Sequence, residues 1–194
     1  MNGYLDMAAR LFTFIGGFFC HQLPARTLML GGAPLGVCVR CTGVYMGVAT
    51  AALFLLFIGR FAGNKPFSVP CAVVLAVFIT PLMVDGVTSA IGLRETTNTI
   101  RLLTGVFLGA CLPPLFVLAY RFRLTGKNEK PIINVKELAL LPFVTLFALF
   151  LANVAGIGGW LLVNLSISAG LLFVVTGVIL AVYRLWKLLV FFSR

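Results

Sequence analysis

Five apolar runs, at about 40–59, 68–91, 99–120, 137–156 and 159–190, dominate the sequence. Each reaches or exceeds the roughly 20 residues a helix needs to cross a hydrocarbon core about 30 Å thick. In lipid the backbone must satisfy its own polar groups, and a helix does so within one segment. The expected fold class is an all-α integral membrane protein of about five transmembrane helices, in a single polytopic domain over 1–194. Composition agrees, with 61% of residues hydrophobic and 10% charged, against roughly 25% charged in a soluble domain. The last run is long enough to tilt or to leave the membrane as an amphipathic tail.

The N-terminus is different. Residues 4–19 read YLDMAARLFTFIGGFF, and Asp6 and Arg10 stand one helical turn apart. Only 11–19 are continuously non-polar or nearly so, about 14 Å of helix. An interfacial or half-inserted helix is expected here, with a short tilted span as the alternative. No basic leader precedes a long apolar stretch in the first 20 residues, so insertion is expected to begin at the first full span. The segment 20–38 is a loop rich in Gly and Pro with an apolar middle, TLML, expected to lie on the membrane surface or dip into it. Gly43, Gly47 and Ala51, and likewise Gly105 and Gly109, form small-residue stripes that let helix backbones approach closely.

The net charge is +10. In a soluble chain that would suggest nucleic acid. Beside transmembrane helices, basic residues set topology and touch anionic headgroups, so lipids are the expected partners and nucleic acid is not. The hydrophilic linker 121–136 carries Arg121, Arg123, Lys127, Lys130 and Lys136 and is expected to be cytoplasmic. Alternation then puts the linker 60–67 and the C-terminus, with Arg184, Lys187 and Arg194, on the same side of the cytoplasmic membrane.

The opposite, outer face collects almost every other polar residue: Cys20, His21, Arg26, Cys38, Arg40, Cys41, Asp85, Arg94, Glu95, Thr96, Thr97, Asn98 and Arg101, with Asn153 and Asn164 at the outer ends of the last two spans. All five lysines fall inside, whereas the basic residues of this mouth are arginines. Arginine presents a planar fork that grips phosphate or carboxylate.

Three chemistries fit the cysteines. Cys20, Cys38 and Cys41, with His21 as a fourth ligand or as a base, suit zinc or another divalent transition metal. A CxxC at a helix start beside Arg40 also suits thiol–disulfide exchange with a partner or a quinone. A plain disulfide or free thiols would give the same pattern. Adjacent Cys20 and His21 fit one ion poorly, which argues against a simple finger. Cys71 and Cys111, in apolar runs, read as small core residues. Asp85, inside an apolar span, calls for a partner and a purpose, as a general acid or base or as the group that orients an arginine, and Arg101 is the expected partner. In GLRETTNTIR, Thr97 or Asn98 can cap the following helix, whose free N–H groups with Arg94 and Arg101 would form an anion site.

The stretches FCHQLPART (19–27), CVRCTGVYMG (38–47), DG (85–86) and RETTNTIRLLTG (94–105) occur in order. Together they resemble a prokaryotic membrane-protein family catalogued as domain of unknown function 2085, over about residues 18–110. Thr27 and Thr96 stand where serine is usual, and Ser89 near a usual glutamine. The resemblance implies a polytopic membrane fold and points to the same polar residues. The functional expectation is a membrane-embedded, metal-dependent enzyme acting on an anionic lipid or amphiphile. His21, Asp85, Arg40 and Arg101 would serve catalysis, and Arg26, Arg94, Thr97, Asn98 and Arg101 would bind substrate. An oxidoreductase, and a metal carrier or lipid or ion transporter, are the alternatives.

Overall fold

The computed structural model describes residues 3–123 and 127–192; residues 124–126 of the basic linker and Arg194 of the basic C-terminus lie outside the described residues. Among the described residues, five helices are long and apolar enough to cross a membrane. They are α2 (Val39–Phe57), α3 (Val69–Ala90), α4 (Asn98–Arg121), α5 (Val135–Val154) and α6 (Ile157–Phe192). Their ends fall within two residues of the sequence expectation. A shorter helix, α1 (Gly3–Gly17), precedes them. Its 15 residues cover about 22 Å, less than a hydrocarbon core. Tyr4, Met7, Leu11 and Phe14 recur on one face and are exposed, the stripe a half-inserted helix turns to lipid.

The segment 20–38 differs from the expected loop. It holds an antiparallel hairpin, β1 (Thr27–Leu30) and β2 (Ala33–Cys38), preceded by a 3₁₀ turn at Pro24–Arg26. Gly31 and Gly32 connect the strands with φ of 56° and 82°, the two left-handed residues a tight hairpin turn requires.

The hairpin is fastened to one end of the bundle. Phe12 of α1 meets Trp160 of α6 edge-on, with ring centroids 5.7 Å apart. Trp160 Nε1 donates to the Pro34 carbonyl at 2.9 Å. Buried Asn164 accepts from Gly36 N at 3.0 Å and donates to the Trp160 carbonyl at 3.0 Å. An amide buried this deeply needs both bonds, and here they tie β2 to α6.

Helices α2 and α4 form the most extensive pair. A Cβ on Gly43 would collide with the Leu102 carbonyl, and one on Gly105 with the Arg40 carbonyl. The two glycine stripes thus meet backbone to backbone, as close small-residue packing requires. The contact sets these parallel helices in register at the hairpin end, with Arg40 and Arg101 one turn beyond the glycines. At the other end Arg60 pairs with Glu137. There Lys130 N donates to Asn64 Oδ1 at 3.1 Å, and Asn64 N to the Lys130 carbonyl at 2.9 Å. The two basic linkers therefore share the end opposite the hairpin.

Candidate functional site

Cys38 ends β2 and begins α2, and Cys41 follows one turn on, so both thiols lie on one side of the helix start. Cys20, just after α1, completes the group. The three sulfurs lie within 4.8 Å of one another, and all three cysteines are free thiols. Cys20 Sγ accepts from Cys38 N at 3.1 Å and from Gln22 N at 3.5 Å. Gln22 holds a left-handed φ of 48°, a conformation that persists in a side-chain-bearing residue only where its surroundings enforce it. They do so here, since the Gln22 amide donates to the Thr13 carbonyl and, at 2.7 Å, to the Gly36 carbonyl. Gln22 thus locks the turn that presents Cys20 to Cys38. Sequence reasoning gave it no role, although it sits inside the FCHQ motif.

Hydrogen bonds from the Cys20 and Cys41 thiols, with backbone N–H groups of Cys41 and Arg40, pull the Cys38 thiol well below the usual range against the opposing effect of burial. The same contacts favour a thiolate within the group, with Cys38 the sulfur best supplied with donors, and the thiolate is the form that binds metals and attacks electrophiles.

A cavity of about 370 Å³ opens beside the sulfurs, lined by Cys20, Cys38, Cys41, His21, Arg26, Arg40 and Arg101 among others. His21 is exposed on its wall and stands outside the three-sulfur group. Arg101 is buried, with Asn98 Oδ1 accepting from its Nη1 at 3.2 Å. Among the described residues no carboxylate pairs with Arg101.

Asp85 pairs differently from the sequence expectation. Arg40 Nη2 donates to its Oδ2, and Arg94 Nη2 to its Oδ1 at 3.1 Å. The register set by the α2–α4 glycines brings Arg40 across to Asp85, while Asn98 holds Arg101 towards the thiols. Both oxygens of the buried carboxylate are thus occupied by guanidinium groups. That arrangement suits orienting an arginine better than exchanging a proton. Thr96 is buried against the same carboxylate. Arg40 is shared, since it lines the thiol cavity and bridges to α3, and its buried Nε has no hydrogen-bond partner among the described residues.

The other expected anion-binding residues are spread out. Thr97 caps α4, accepting from Ile100 N at 3.3 Å. Asn98 positions Arg101 and donates to the Ala25 carbonyl at 3.3 Å, tying α4 to the 3₁₀ turn. Arg94 lines a separate, lateral groove with Asp85.

A family described as "Predicted membrane protein (DUF2085)" matches residues 20–113. An uncharacterized protein of Methanocaldococcus jannaschii is 32% identical over 130 residues, covering 61% of this chain and 81% of that protein. The chain belongs to this family. A second uncharacterized protein, from Methanothermobacter thermautotrophicus, is 35% identical over 100 residues, covering 50% of this chain and 84% of that protein. No solved structure matches. The family match takes in all three clustered cysteines, Asp85, Arg94 and Arg101, and leaves out α1, α5 and α6.

Proposed function

We propose that this DUF2085 protein is a membrane-embedded, metal-dependent enzyme whose site faces outward and acts on an anionic, phosphate- or carboxylate-bearing lipid or amphiphile. One observation carries the reading: three thiols within 4.8 Å share a cavity with Arg26, Arg40 and Arg101. Three protein ligands leave the fourth position of a tetrahedral ion open, the pattern of catalytic rather than closed structural zinc. Such an ion would supply Lewis acidity. The arginines would hold the anion against it, with Arg101 the strongest candidate because no carboxylate pairs with it among the described residues. His21 on the cavity wall fits a base better than a fourth ligand. The outward orientation is supported by the two basic linkers sharing the far end.

Elemental mass spectrometry of the purified protein tests the centre. The expected result is about one zinc or similar divalent ion per chain, lost with Cys20→Ser, Cys38→Ser or Cys41→Ser. Absence of metal together with a reversible disulfide among these cysteines would replace this reading with thiol or quinone oxidoreduction, which the lowered Cys38 thiol also favours.

A further inference from the structure

Between α3 and α4 runs an apolar groove of about 620 Å³, walled by Val73, Val77, Pro81 and Val84 on one side and Ile100 and Thr104 on the other. Little of α3 is covered by protein, so the groove opens sideways to lipid. It extends along α3 from Val73 to Asp85, twelve helical steps or about 18 Å. Half of a hydrocarbon core about 30 Å thick is about 15 Å, so the groove has the length of one chain in one leaflet. Its head is charged. Asp85 carries one negative charge against the guanidiniums of Arg40 and Arg94, leaving a net positive charge about 8 Å inside the hairpin end of α3. Arg40 also lines the thiol cavity and keeps a buried Nε donor without a partner among the described residues, and buried donors of that kind call for an acceptor.

We propose that this groove seats an acyl chain of an anionic lipid drawn from the leaflet at the hairpin end, with the headgroup held by Arg94 and Arg40. The inference rests on the reading of the site as one for anionic amphiphiles and adds how the substrate enters: sideways from lipid, chain first along α3, with its headgroup delivered through Arg40 towards the sulfurs. A water-soluble anion would have no use for such a groove.

The test uses the full chain in nanodiscs carrying phosphatidylglycerol or phosphatidylcholine with the same diazirine-labelled acyl chain, crosslinks being mapped by peptide mass spectrometry. The expected result is labelling of residues 73–84 and 100–104 by the anionic lipid about fivefold above the zwitterionic one, the worth of one arginine against an anionic headgroup. Arg94→Gln should erase that preference. Ala76→Trp, which fills the groove from its exposed side, should remove the labelling while metal content stays at the wild-type level. Leu172→Trp, on an exposed face of α6, is the control and should change nothing. Equal labelling by the two lipids, or labelling that survives Ala76→Trp, overturns the proposal. Because the crosslink is read separately from the metal, a protein that binds none but labels selectively keeps the groove and loses only the metal centre.

Discussion

At the scale of single residues, the three thiols differ from the two core cysteines in ways that chemistry can read. Hydrogen bonds hold the Cys38 thiol well below the usual range, whereas a free thiol near 8.5 is mostly protonated at neutral pH. Cys71 and Cys111 have no exposed surface. In metal-stripped protein at pH 6, iodoacetamide followed by peptide mass spectrometry should modify Cys38 well ahead of Cys71 and Cys111. Equal rates would mean that the hydrogen bonds to Cys38 do not hold its thiolate. Gln22 has a role of the same kind. Gln22→Ala removes both side-chain bonds that enforce its left-handed backbone and leaves the Gly36 carbonyl, in a buried strand, without its donor. A loss of about 1–3 kcal/mol is expected, read as a lower unfolding midpoint in detergent together with weaker metal retention. His21→Ala should keep the metal, because His21 stands outside the three-sulfur group. Loss of metal in that variant would make His21 a ligand.

Among the elements, the α2–α4 contact decides where the arginines stand. Gly43→Leu would drive a side chain into the Leu102 carbonyl and force the helices apart, costing about 1–3 kcal/mol by overpacking and widening the cavity between Arg40 and Arg101. Gly86→Ala on α3 meets nothing within 4 Å and should raise stability by up to about 1 kcal/mol through helix propensity alone. Thermal unfolding of the two variants side by side checks the contrast, and equal midpoints would mean that α2 and α4 do not touch at Gly43. The glycine stripes and the five spans were legible because spacing along one helix is local information. The hairpin was harder, since its strands are short and apolar, although Gly31–Gly32 between apolar runs carried the turn signal. The partner of Asp85 was not legible at all. Arg40, Arg94 and Arg101 all stand at the right depth, and the choice among them depends on helix rotation, which the sequence does not specify. The clustering of Cys20 with Cys38 and Cys41 was visible as a motif, whereas the residue that enforces it, Gln22, becomes recognisable only through its backbone angle.

For the whole molecule the governing asymmetry is charge against chemistry. The end with the basic linkers carries Arg60, Lys65, Arg121, Lys130 and Lys136, and its tie between Asn64 and Lys130 is structural. The hairpin end carries the sulfurs, Asp85 and arginines. Lys and Arg near span ends are retained on the cytoplasmic side during insertion, and the first set outnumbers the second in short loops. The chain is therefore expected to sit with its hairpin outside, the site open to the outer leaflet and to the compartment beyond it. Two fusions decide this. Alkaline phosphatase joined after Ala155, in the short turn between α5 and α6 at the hairpin end, should be active because that enzyme matures only outside the cytoplasm. A fluorescent protein joined at the C-terminus should fold and fluoresce because it lies inside. The reverse pattern would put the thiols in a reducing compartment, where cysteines stay free for metal more readily than in an oxidising one. It would also move the lateral groove to the inner leaflet. The orientation thus bears on the chemistry as well as the topology: outside, a bound metal protects the sulfurs from oxidation, and the outward protein should yield both metal and intact thiols when purified without reductant.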